Sequence, residues 1–223
     1  MDQIENQNDA MVAAYDDEAE ASGWFGPEVT FGLAYKHVRV GQSILDIGIG
    51  TGLGSVLFCK AGLKVHGMDI SPKMLEACRS KGLTALQLHD LSNPPYPYDS
   101  ESMDHAVCTG VLIFFRDLSP VFKETARILR KGGLFAFVVG DRAECEAHEV
   151  KVEPEHTKSE RTVTMYRHSP KQINNWLKKY GFELVRNLAF TVFMDRERTM
   201  SMRAKAYLTR KVTNIEPSRC GEA

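Results

Sequence analysis

Four times along this chain a stretch ending in basic residues runs into a glycine, and a short apolar segment follows. Lys60 precedes Gly62, Lys81 precedes Gly82, Arg130 and Lys131 precede Gly132, and Lys178 and Lys179 precede Gly181. Glycine takes the left-handed conformation that closes a helix, and cations in the last turn oppose the negative end of the helix dipole. The apolar segments after them, 63–68, 83–88, 134–139 and 182–190, are too short for helices and read as strands. Segments 43–47, 103–109 and 206–212 add three more. Three helices are expected to open at one repeated pair, Ser71-Pro72, Ser119-Pro120 and Ser169-Pro170. Serine can accept from an orphan N–H there, and proline needs no donor in the first turn. Residues 118–129 set Leu118, Val121, Phe122, Thr125 and Leu129 along one helical stripe. Strands alternating with helices predict a doubly wound Rossmann-like α/β fold, with a mostly parallel seven-stranded sheet and helices on both faces.

Two stretches break the rhythm. Residues 1–38 are expected as an N-terminal helical cap or lid, ahead of a domain at 39–214 and a tail at 215–223. Residues 141–168 are highly charged and lack helical periodicity, so they read as a functional insertion. Val150 and Val152 facing 162–166 would make it a hairpin.

Composition narrows the function class. A formal net charge of -1 over 223 residues gives no bulk attraction to nucleic acid. No apolar run approaches the roughly 18 residues of a membrane span. Met1 to Glu5 is polar and acidic, unlike a secretory signal. Five cysteines without a C-x-x-C pair support neither a disulfide framework nor a zinc site. The expectation is a cytoplasmic protein with reduced thiols and no metal.

The chemistry concentrates in Ile44-Leu45-Asp46-Ile47-Gly48-Ile49-Gly50-Thr51-Gly52-Leu53-Gly54, which runs from a strand into a helix. Such a turn lets a ligand approach bare backbone and meet helix N–H groups. Dinucleotide enzymes also use one, but a G-x-G-x-x-G fingerprint would need glycine at Leu53, Ser55 or Leu57. A nicotinamide oxidoreductase is therefore the weakest rival.

Asp46-x-Gly48-x-Gly50-x-Gly52 instead resembles the first motif of class I S-adenosylmethionine-dependent methyltransferases. The resemblance continues in order through Asp69, His89-Asp90-Leu91, the segment Met103 to Leu112, the junction Leu129-Arg130-Lys131-Gly132-Gly133-Leu134, and Tyr166 to Pro170. It implies a chain that binds S-adenosyl-L-methionine and methylates a small-molecule acceptor. It further implies that Asp46, Gly48, Gly50 and Gly52 form the cofactor loop, and that Asp69 takes the ribose hydroxyls. Asp90 would meet the adenine amino group, Ile70 and Leu91 would flank the ring, and Thr109 would line the methionine part. Bland roles stay open beside these: Asp46 orienting the loop, Asp69 capping the helix at Ser71, Asp90 serving a turn.

Asn93-Pro94-Pro95-Tyr96 spells the tetrapeptide of amino-directed methyltransferases, yet it precedes the fourth strand rather than following it, so it reads as loop chemistry. Asp141, ending the fifth strand, is the candidate base or acceptor ligand. His148, His156 and His168 read as loop residues and His105 as a packing histidine. Tyr15, Trp24, Phe25 and Tyr166 are the candidate acceptor and lid residues. A protein or RNA methyltransferase, or a binding protein that keeps the fold without turnover, are the alternatives.

Overall fold

A computed structural model describes residues 12, 15–152, 163–193 and 197–212. Thr162, His156 and the expected tail at 215–223 lie outside the described residues. Six helices are described: α1 (Tyr15–Ser22), α2 (Gly26–Ala34), α3 (Leu53–Lys60), α4 (Pro72–Ser80), α5 (Ser119–Ile128) and α6 (Pro170–Lys179). The strands are β1 (Ser43–Ile47), β2 (Lys64–Asp69), β3 (Ala85–Leu88), β4 (Met103–Cys108), β5 (Leu129–Asp141), β6 (Glu149–Val152), β7 (Val163–His168), β8 (Phe182–Phe193) and β9 (Ser201–Lys211).

The main sheet runs β3-β2-β1-β4-β5-β9-β8. The first five strands are parallel, and β9 lies antiparallel to both β5 and β8. The expected seven strands are all present, and the hairpin β6–β7 adds two. Gly140 pairs with Ala204 of β9 on one edge and with Arg167 of β7 on the other. The pairing of β4 with β5 stops at Cys108↔Phe137, so β7 occupies the edge that β4 vacates. The strands β6 and β7 are thereby held at the carboxyl end of β5.

Alternation sorts the core into two layers. Ile44, Val107, Leu134 and Ala136 pack with Phe58 of α3 and Ala34 of α2. Their neighbours Leu45, Ala106, Phe135 and Phe137 pack with Phe122 of α5 and Ile173 of α6. Within the expected N-terminal cap, α2 shares a core cluster with the sheet, whereas α1 buries no residue fully.

Serine caps hold at two of three helices. Ser71 accepts from Met74 N–H at 3.2 Å, and Ser169 forms a reciprocal capping box with Gln172. At the third, Leu118 takes the cap position and Asp117 accepts the Ser119 N–H at 2.9 Å, which frees the Ser119 hydroxyl to accept from Trp176. Gly132 also differs from expectation. The helix ends at Ile128 and Leu129 already pairs with Met103, so Gly132 (φ 84°) serves a bulge inside β5. The last strand starts at Ser201, earlier than 206, because β8 is long enough to pair it throughout.

Candidate functional site

The turn after β1 is tied to the end of β2. Gly48 and Ile49 both donate to the Met68 carbonyl, and Gly50 donates to the Asp69 carboxylate at 2.9 Å. Gly48 has φ 73°, and a Cβ there would stand 2.4 Å from Val111, so glycine is required for both reasons. The other Asp69 oxygen accepts the Ser71 N–H at 2.9 Å. Burial pushes the Asp69 pKa up, against these N–H bonds, which pull it down. A carboxylate has about four lone-pair sites, so Asp69 retains capacity for a ligand's hydroxyls.

Above this turn lies a cavity of about 590 Å³, within the size range of ligand pockets. One end is formed by Gly48, Gly50, Asp69, Ile70, Asp90 and Leu91, with Thr109 and Gly110 from the end of β4. The other end is mostly apolar: Trp24, Phe114, Phe115, Met165, Phe193 and Met202. Tyr15 and Trp24 come from the segment at and after α1, and Tyr166 from β7. Burial and then the Asp69 charge raise the pKa of the Tyr15 hydroxyl. α1 is fastened beside the glycine turn, since Asp16 accepts from the Thr51 hydroxyl and the Lys81 ammonium. Lys81 also donates to the Thr51 carbonyl at 2.8 Å.

Ten of the expected site residues thus meet around one space: Tyr15, Trp24, Gly48, Gly50, Asp69, Ile70, Asp90, Leu91, Thr109 and Tyr166. Four do not line it. Asp46 shares the alternation of Ile44 and faces α3, where it accepts from the Ser55 hydroxyl at 2.6 Å. Its second oxygen is buried and has no partner among the described residues, and burial pushes the carboxyl pKa up to about 7. Asp46 stands under the loop as support. Gly52 faces Leu83 and Cys78, and Phe25 is 54% exposed. Asp141 keeps the alternation of Phe137, and so turns toward α6, where it borders a shallow depression with Pro170 and Lys171. Its expected role at the acceptor is not supported by this placement.

The proline tetrapeptide is a structural turn. Asn93 donates to Asp90 at 2.9 Å, and the Tyr96 hydroxyl donates to the Leu91 carbonyl at 3.2 Å. His105 packs as expected, with Nδ1 accepting from Leu134 N–H and Nε2 facing Gln42; burial pushes its pKa down to about 4. His168 is fully buried rather than a solvated loop residue. Burial, then the neighbouring His148, pushes it down to about 4. Among the described residues no group of three or more His, Cys, Asp and Glu could hold a metal.

Sequence reasoning missed the floor after β4. Val111-Leu112-Ile113-Phe114-Phe115 is an apolar run directly behind Gly110, too apolar for an ordinary surface loop, and that was the available signal. Val192, Phe193, Met202 and Ala204 line the space only because β8 and β9 extend beyond the parallel strands, which nothing local announces.

The cofactor implied by the sequence resemblance fits this cradle. A Cβ on Gly50 would meet nothing within 4 Å, and one on Gly110 would come no nearer than 3.7 Å to Trp24. Bare backbone there leaves room for a ligand, with the Asp69 and Asp90 carboxylates beside it.

Comparison with known proteins agrees. Residues 45–137 match the family model described as a methyltransferase domain. Demethylmenaquinone methyltransferase of Tropheryma whipplei is 30% identical over 97 residues, 43% of this chain and 41% of that one. The chain therefore covers about two fifths of that curated relative. A methyltransferase structure from Methanosarcina mazei aligns over 81% of this chain and 97% of its own, with TM-score 0.69 and 16% identity. Magnesium protoporphyrin IX methyltransferase of Synechocystis PCC 6803, solved with S-adenosylhomocysteine bound, aligns over 88% and 85% with TM-score 0.62 and 17% identity. At these identities the structural likeness bears on the fold.

Proposed function

We propose, from a core that belongs to the class I S-adenosylmethionine-dependent methyltransferases, that this protein transfers the cofactor's methyl group to a small, largely apolar acceptor. One observation carries the reading. The cavity joins a turn of bare glycines and acids to an apolar end within a single space. The demethylmenaquinone and magnesium protoporphyrin enzymes act, by their names, on small molecules, which supports the same class here. The near-neutral net charge weighs against an RNA substrate.

S-adenosylmethionine supplies a methyl group already activated on a sulfonium, so alignment and exclusion of water are what remain for the protein. Asp69 would accept from the ribose hydroxyls, with charge-assisted bonds, while keeping Gly50 in place. Asp90 would face the adenine amino group, held by the Ser92 N–H and the Asn93 amide. Ile70 and Leu91 would flank the ring, and Thr109 and Gly110 would border the methionine portion. Tyr15 and Trp24 on one side and Tyr166 on the other would close the acceptor end, as a lid does. No histidine lines the cavity among its described residues, so none of these offers an imidazole base. A reduced, cytoplasmic setting accords with Cys59, Cys78, Cys108 and Cys145 as free thiols. No helix among the described residues is long and apolar enough to cross a membrane.

A labelled-methyl screen against a metabolite library is the test. Transfer to at least one small acceptor is expected. Transfer only to protein or RNA, or cofactor binding without any transfer, would contradict the reading.

A further inference from the structure

The apolar end of the cavity has one polar corner. Arg116 follows Phe115 in the run behind β4 and is the single cation among the described residues that line the space. Its backbone is held by the hairpin, since its carbonyl faces His168 Nε2 at 3.4 Å. The His168 ring lies 5.0 Å from that of His148, which in turn lies 5.6 Å from that of Tyr166. Burial first, and then the Arg142 and Arg116 charges, make the His148 ring harder to protonate. Among the described residues the Arg116 guanidinium has neither hydrogen bond nor ion pair. Arg142, by contrast, is spent on the carbonyls of Arg167, Ala143, Glu144 and Glu146 and on Gln172. Two acids also line the space, Glu18 from α1 and Asp117, whose Oδ1 accepts the Ser119 N–H at the start of α5.

We propose that Arg116 and the Tyr166 hydroxyl form an oxyanion-binding corner, and that the acceptor is an apolar molecule bearing an acidic oxygen, a carboxylate or an acidic enol or phenol. The proposal rests on the methyltransferase reading and narrows its substrate class. A guanidinium presents paired donors to an oxyanion, and in apolar surroundings such bonds are worth about ten- to a hundredfold in affinity. The same charge repels an ammonium. Val163, Met165, Phe193 and Met202 offer the body of the acceptor an apolar wall. An oxyanion also removes the need for a base. Its lone pair forms the new bond to the methyl carbon as the C–S bond breaks, and that bond's electron pair stays on sulfur. Cationic donor and anionic acceptor become two neutral products, and no proton has to leave.

The test is calorimetry on the full chain saturated with S-adenosylhomocysteine, using three probes that share one apolar body: 2-naphthoate, 2-naphthalenemethanol and 2-naphthylmethylammonium. Naphthoate is expected to bind about tenfold or more tighter than the ammonium. Arg116→Ala should bring those two within about threefold and leave the alcohol unchanged, and Arg116→Lys should keep part of the preference. S-adenosylhomocysteine affinity should be the same in both variants, which shows that they fold. A preference that survives Arg116→Ala, tightest binding by the ammonium, or binding by none of the three would overturn the proposal. Failure of S-adenosylhomocysteine itself to bind the wild type would instead break the methyltransferase reading, so the two failures are distinct. Methyl transfer to naphthoate but not to 2-naphthol would assign the corner to carboxylates, and the reverse to acidic phenols and enols.

Discussion

The two ends of the cavity are built from different materials. At the cofactor end the chain presents strand ends and the turns after them: Gly48 to Thr51 after β1, Asp69 ending β2, Asp90 after β3 and Thr109 after β4. The first of these is fixed to the neighbouring strand by backbone bonds, such as Gly48 N–H to the Met68 carbonyl. At the acceptor end the wall is made of side chains from α1, the hairpin and the long antiparallel pair β8–β9. These pieces are far apart in sequence and meet only through the sheet's edge pairing. The first end rests on backbone geometry where strands end, whereas the second is a wall of side chains. Damage at one end should therefore be separable from damage at the other.

The largest effect should come from Asp69→Ala. Because Asp69 both faces the cavity and accepts Gly50 N–H, its loss removes ligand bonds and loosens the turn together. Calorimetry should show S-adenosylmethionine binding about ten- to a hundredfold weaker, since bonds to a carboxylate are each worth roughly 1.5–3 kcal/mol. Unchanged affinity would break the assignment of this end.

Asp46 tests the support beneath the same turn. Its folded pKa is raised from 3.8 to about 7 by burial. Below 3.8 both states hold the proton; between there and about 7 the unfolded chain releases it while the folded chain keeps it. Wild-type stability from this group therefore falls as pH rises through that window and stays low above it. Asp46→Asn should gain about 1–2 kcal/mol over wild type at pH 8, once the amide's own burial cost is set against it, and lose that advantage near pH 4. Denaturant melts at both pH values would show a gap that does not change with pH if the account of Asp46 is wrong.

Asp16→Ala should act across the boundary between the ends. It releases α1 from Thr51 and Lys81 but touches neither the turn's own bonds nor the apolar wall. A partly exposed ion pair with a hydroxyl bond is worth about 1 kcal/mol, so turnover should fall roughly fivefold with a smaller change in cofactor affinity. A variant with wild-type turnover would remove α1 from the account as a lid.

Asn93→Ala should do least. Its amide steadies Asp90 from outside the cavity, so turnover should change by less than about threefold, the loss of one exposed hydrogen bond. A drop of several orders of magnitude with normal cofactor affinity would return the tetrapeptide to the acceptor.

What could be read from sequence follows the same division. Asp69, Asp90 and the glycine turn were legible because their positions depend on local chain chemistry, a strand ending and a helix beginning. Asp141 was misplaced at the acceptor because strand position alone does not give the face. Its alternation with Phe137 turns it toward α6, and that required knowing which layer Phe137 packs in. Arg116 was not legible, since its sharing of one cavity with Tyr166 depends on β7 taking the edge that β4 leaves. The hairpin itself was legible from alternating valines, but its docking was not.

The central claim is that one end of this cavity is a site for S-adenosylmethionine. Titration calorimetry of the wild-type chain with S-adenosylmethionine, S-adenosylhomocysteine and NAD tests it most directly. Saturable binding of the first two, with Asp69→Ala weakening both and NAD giving no heat of binding, is the predicted result. Binding of NAD in preference to either, or no binding of the adenosyl ligands by a folded wild-type chain, would contradict it.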